Sequence, residues 1–212
     1  MEDTEDCGWP MHKLLDNLKK AEDSASQSTN YLVLVSTGAL NPVHNGHLDI
    51  LTRTRQHIHE TYGNQFIVLG GFISPSHDLY VGPKCRHSKS LHLNDTARIE
   101  LAQLICKDSD WISCGTWEAS QPGSWPDFPE VAINLHRRLA VHPVLGPRRP
   151  AVVYVAGLDH AQKCELLEHP MPLQPAGLAV VTRGGGAGAG LAAAQDDPPH
   201  LRFIVRSVNP EV

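Results

Sequence analysis

Residues 31–35, 66–69, 151–155 and 178–181 are short, unbroken apolar runs, as in Tyr31-Leu32-Val33-Leu34-Val35. Runs of that length without polar alternation suit strands covered on both faces, the situation of a parallel sheet. Parallel neighbours need a crossover between them, and the intervening sequence supplies helical patterns. Leu48, Leu51, Ile58 and Tyr62 recur on one helical face after the first run. Asn94 precedes a second helix, whose apolar stripe is expected at Ala97, Leu101, Leu104 and Ile105. The segment Asp127-Phe128-Pro129-Glu130 has the form of a capping box, with Val131, Leu135 and Leu139 inward behind it. Short strands are also expected at residues 111–114 and 203–205. Alternation of this kind predicts an α/β fold built on an open parallel sheet, with right-handed crossovers.

The remainder divides simply. Residues 1–30 read as an N-terminal tail with a short amphipathic helix over 11–22, carried by Met11, Leu14, Leu15 and Leu18. Residues 31–206 form the expected domain, and 207–212 a C-terminal tail. Residues 74–93 are expected to be a long polar loop, and the Gly/Ala-rich residues 184–199 a flexible one. No stretch approaches the roughly 18 apolar residues of a membrane span, and the acidic N-terminus has no apolar signal core. A cytoplasmic or nuclear protein is therefore expected.

Lys and Arg number 18 against 23 Asp and Glu, a formal net charge of −5. That balance argues against a general nucleic-acid binder, which needs clustered cations, but allows a local site for a small phosphorylated ligand. The five cysteines contain no C-x-x-C pair, so neither a zinc ribbon nor a disulfide scaffold is expected. Cys85, His87 and His92 match no standard metal spacing, and no protein-held metal is expected. No strand is followed by G-x-G-x-x-G, which removes support for a dinucleotide-dependent dehydrogenase.

Chemistry concentrates in Thr37-Gly38-Ala39-Leu40-Asn41-Pro42-Val43-His44-Asn45-Gly46-His47-Leu48. The segment follows the first buried strand and opens the first long helix. A helix N-terminus there presents unpaired N–H groups and the positive end of the dipole, and phosphates bind such ends. Two histidines three residues apart can face one anion, donating imidazole N–H groups while near neutral. Gly46 lets the backbone approach closely.

This segment resembles the signature of the H-x-G-H nucleotidylyltransferases. Further segments resemble one branch, the nicotinamide or nicotinate mononucleotide (NMN or NaMN) adenylyltransferases. They are Ser74-Pro75-Ser76-His77-Asp78-Leu79-Tyr80 with Lys84 beyond it, Arg98-Ile99-Glu100, Thr116-Trp117-Glu118, Gly157-Leu158-Asp159 and Val180-Val181-Thr182-Arg183. The resemblance implies a Rossmann-like sheet with helices on both faces, and adenylyl transfer from ATP to the mononucleotide with release of pyrophosphate. It implies His44 and His47 as the catalytic pair. Gly38, Ala39, His44, His47, Gly157, Asp159 and Arg183 would bind ATP. Leu40, Tyr80, Lys84, Trp117 and Glu118 would bind the mononucleotide, with Trp117 stacked on its ring. Mg²⁺ would enter with ATP, and a homo-oligomer is compatible with the family.

Two departures bear on these implications. Ala39 and Leu40 stand where the family commonly has Ser and Phe. The family's late Ile-Ser-Ser-Thr-x-x-Arg element has no counterpart in the residues ending at Val212. Losing one positioned phosphate donor typically lowers rate by about 10²–10³. A nucleotide-binding relative with little or no turnover therefore stays open beside the enzyme, as does a nucleotidylyltransferase using another phosphorylated acceptor.

Overall fold

The computed structural model describes residues 7–22, 29–168, 177–182 and 202–205. Six strands form one sheet: β1 (Asn30–Gly38), β2 (Phe66–Pro75), β3 (Ile112–Cys114), β4 (Ala151–Gly157), β5 (Gly177–Val181) and β6 (Arg202–Val205). Every pairing is parallel, and the spatial order is β3-β2-β1-β4-β5-β6. The chain moves outward from β1 to one edge through β2 and β3, then returns to β4 on the other side. The order reverses between β1 and β4, and open α/β sheets bind ligands beyond the carboxyl ends of the strands at such a point.

The apolar runs are buried on both faces as their composition requires. In β1, Val33 and Val35 enter one core cluster while Leu32 and Leu34 enter the other. Likewise Val152 and Tyr154 of β4 oppose Val153 and Val155. The first cluster is covered by α1 (His12–Glu22), α5 (Phe128–Val141) and α6 (Leu158–Lys163), the second by α2 (Asn45–Tyr62) and α4 (Asp95–Cys106). Helices thus lie on both faces of a Rossmann-like sheet. Asp127 and Glu130 form the expected capping box of α5, and Asn94 Oδ1 accepts from the Ala97 N–H at 2.9 Å to cap α4.

Two expectations are corrected. Residues 74–93 are not a polar loop: β2 runs on to Pro75, and α3 spans Asp78–Ser88. His77 caps α3, its side chain accepting from Leu79 N–H, and Val81 and Cys85 bury one face despite Pro83 within the helix. The Gly82-Pro83 pair suggests a turn by composition, but burial outweighs that local preference. The stripe of α4 is also displaced. Arg98, Ala102 and Cys106 are the buried residues, whereas Leu101 and Leu104 are exposed. The buried face is one residue further along, a rotation of about 100°, because an arginine heads it. Residues 184–199 and 207–212 lie outside the described residues, as does Arg183. No helix among the described residues is long and apolar enough to cross a membrane.

Candidate nucleotide site at the carboxyl end of the sheet

The H-x-G-H segment leaves β1 at the reversal point. Leu40 is buried at 3% exposure with a left-handed φ of 45°, a conformation that costs a non-glycine residue free energy and clusters at functional sites. His44 then takes an extended conformation and caps α2. Its Nδ1 accepts from the Gly46 N–H at 3.1 Å, while the Nδ1 of His47 accepts from the His44 N–H at 3.1 Å. The rings stand 3.9 Å apart, tilted by 44°. Each ring uses Nδ1 as an acceptor, which leaves a proton on Nε2. Two Nε2–H donors therefore sit side by side at a helix N-terminus. Burial, then the neighbouring His44, holds the His47 pKa below the usual 6.5, so the imidazole stays neutral near pH 7. A Cβ at position 46 would lie 2.9 Å from His44 Cε1, so any larger residue would displace the His44 ring.

The other sequence-predicted residues gather at the same end of the sheet. Gly38 closes β1, and Ala39 follows it. Gly157 closes β4, the neighbour of β1, and Asp159 stands exposed in the first turn of α6. Tyr80 and Lys84 project from α3, with Lys84 Nζ 5.7 Å from the centre of the Tyr80 ring. Trp117 and Glu118 follow β3. Trp117 is half-buried and packs against the core cluster containing Trp9 and Phe72. Glu118 is only 4% exposed and accepts from Ser74 Oγ at 2.9 Å. Burial pushes its carboxyl up to about 8, helped by Asp127, against the pull of hydrogen bonds from Ser76 and Ser74 and the charge of Arg98. It is a neutral acid at pH 7, able to donate as well as accept.

Three features escape the sequence reading. Tyr154, within an apolar run, places its Oη 3.0 Å from Thr37 Oγ1 and 3.1 Å from His160 Nε2. These hydrogen bonds join the end of β1, through the middle of β4, to α6. Trp125, in the loop before α5, is 45% exposed and meets the 39%-exposed Tyr80 ring at 5.6 Å. Beside Lys84 they form an aromatic and cationic surface suited to a phosphorylated, ring-bearing ligand. A Trp amid Pro, Gly and Ser was the available signal. The third is the burial of Arg98, a residue singled out in the sequence only within a family-like segment; its side chain reaches the Ala39 carbonyl. A cavity of about 350 Å³, where Arg55 stacks on Trp111, lies at the opposite, amino end of β2 and takes no part in this arrangement.

Comparison with known proteins gives this chain relatives and a family. The chain is 34% identical to nicotinamide/nicotinic acid mononucleotide adenylyltransferase 2 of Xenopus tropicalis over 115 residues, 54% of this chain and 34% of that protein. The Danio rerio protein of the same name is 35% identical over 109 residues, 51% of this chain and 32% of the relative. An Arabidopsis thaliana nicotinamide/nicotinic acid mononucleotide adenylyltransferase is 33% identical over 103 residues, 49% of this chain and 39% of the relative. The matches thus span little more than a third of these relatives' lengths at most. Residues 35–169, from within β1 to just past α6, match the family described as cytidylyltransferase-like. With that match over most of the chain, and an all-parallel sheet whose order reverses beside the H-x-G-H loop, the chain belongs to the cytidylyltransferase-like family.

Proposed function

We propose that this chain transfers the adenylyl group of ATP to the 5′-phosphate of nicotinamide or nicotinate mononucleotide. The observation that carries the reading is the paired cap of His44 and His47, which leaves an Nε2–H donor on each ring. A mononucleotide phosphate oxygen attacks the α-phosphorus of ATP. The bond from that phosphorus to the β-bridging oxygen breaks, its electron pair stays with that oxygen, and pyrophosphate leaves. The attacking phosphate is already anionic, so no strong general base is required and catalysis is mainly positioning and charge stabilisation. The two histidines donate to the phosphate oxygens on which negative charge accumulates, and the α2 N-terminus adds its dipole.

On the acceptor side, Lys84 meets the mononucleotide phosphate as a point charge, and the family resemblance assigns Leu40 and Glu118 to the same subsite. The exposed Tyr80–Trp125 pair offers a stacking face, and the half-buried Trp117 ring offers another. Gly157 lets a nucleotide approach the end of β4, where Asp159 accepts from ribose hydroxyls. Mg²⁺ fits as the ATP complex: such metals keep substrate phosphates and waters as ligands. When bound, it neutralises phosphate charge.

The test is pyrophosphate and dinucleotide formation from the purified chain with ATP, Mg²⁺ and either mononucleotide, beside His47→Ala. Turnover reduced about 10²–10³-fold by the substitution is expected. ATP binding without turnover for either acceptor would overturn the transfer reading in favour of a nucleotide-binding relative. Turnover only with a different phosphorylated acceptor would move the specificity elsewhere.

A further inference from the structure

Arg98 has no exposed surface at all. A guanidinium stays charged in proteins, and burying one is unfavourable unless its donors are matched. Here they meet one acceptor just ahead of α4 and three from distant segments. Nε donates to the Leu93 carbonyl at 3.0 Å. Nη1 donates to the carbonyls of Ala39 at 2.9 Å and Ser76 at 2.6 Å. Nη2 donates to Asp78 Oδ1 at 2.6 Å. Ala39 belongs to the H-x-G-H loop, Ser76 and Asp78 to the passage from β2 into α3, and Leu93 to the loop ahead of α4.

We propose that Arg98 is a positioning residue that sets the H-x-G-H loop against helix α3, and so sets the spacing between the donor and acceptor phosphates. The proposal rests on the adenylyl-transfer reading, in which that loop holds ATP while Tyr80 and Lys84 of α3 hold the mononucleotide. Other contacts tie the H-x-G-H loop to the passage into α3, to α3 itself and to the loop ahead of α4. Ser76 N–H donates to the Gly38 carbonyl at 2.8 Å. Asn41 donates through Nδ2 to Cys85 Sγ at 3.2 Å, and its Oδ1 accepts from Leu93 N–H at 2.8 Å. Arg98 alone among these side chains reaches both substrate segments with a fixed, planar fork. Reactions that depend on alignment lose about 10² in rate for a misplacement near 1 Å.

Arg98→Lys retains the charge and loses the fork. In the full-length chain it is expected to lower kcat about 10²-fold, with KM for ATP and for the mononucleotide nearly unchanged. Amide hydrogen exchange is expected to quicken together in residues 38–48 and 76–84, while β4 keeps wild-type protection. A purely structural role would lower kcat only in proportion to the folded fraction, read by near-ultraviolet circular dichroism, and that result would overturn the proposal. Unchanged exchange in both segments would do so as well. Should Arg98→Lys fail to fold, Asp78→Asn removes the charged partner and spares the three carbonyl contacts. The same pattern, smaller in size, is then expected, and its absence refutes the proposal. A wild-type chain with no turnover would count against adenylyl transfer alone, because the exchange result still decides the positioning role.

Discussion

Glu118 is a buried carboxylic acid whose proton is worth measurable stability. Its folded pKa stands at about 8 against an ordinary 4.5. Below pH 4.5 the carboxyl is protonated both folded and unfolded, and it imposes no penalty. As pH rises past 4.5 the unfolded chain ionises it freely while the folded chain does not, so stability falls until the folded group ionises near pH 8. Above that value the loss stays constant. Over this interval, at about 1.36 kcal/mol per pH unit, the loss is on the order of 5 kcal/mol. Glu118→Gln keeps an oxygen that can accept from Ser74 Oγ and removes the titration. Wild type and variant are therefore expected to melt at similar temperatures at pH 5 and to diverge as pH rises to 8. At about 2–4 °C per kcal/mol for a chain of this size, the variant should melt ten degrees or more higher at pH 8. Thermal melts by circular dichroism across pH 5–8.5 supply the test, and the difference between the two chains cancels the other titrating groups. Parallel melting curves would show that Glu118 is ionised in the folded state, and the reasoning from its burial would fail.

Two further outcomes follow from the same geometry. Nitrogen-15 spectra of the imidazoles should show His47 as the Nε2–H tautomer at pH 7, titrating below 6.5 because burial and His44 disfavour its charge; its stabilising contribution is present above pH 6.5 and is lost as pH falls through the folded value. Gly115→Ala should destabilise the fold by about 1–3 kcal/mol in denaturant melts, since a Cβ there would lie 2.3 Å from Cζ3 of Trp9, whose Nε1 is already held by Asn134 Oδ1 at 2.8 Å.

The legible part of this molecule is the part governed by repetition. Unbroken apolar runs had to become doubly covered strands, and the cap residues Asn94 and Asp127 mark helix starts because their side-chain oxygens satisfy N–H groups only a few residues away. The H-x-G-H loop was readable for the same reason. Its two histidines hydrogen-bond to backbone within their own tetrapeptide. Illegible features are those whose partners are remote. Arg98 belongs by residue type on a wet surface, and periodicity assigns the buried face of α4 to Ala97, Leu101 and Leu104 instead. Only when Ala39, Ser76, Asp78 and Leu93 are brought around it does burial become favourable. Tyr154 counts as one more apolar strand residue until Thr37 and His160 close on its hydroxyl. In each case a polar group is buried where local pattern gives no reason for it, and its partners come from segments on which the proposed chemistry depends. A buried polar side chain with remote partners is therefore the signal to seek at this end of the sheet, and Arg98, bridging both proposed substrate segments, is its strongest instance.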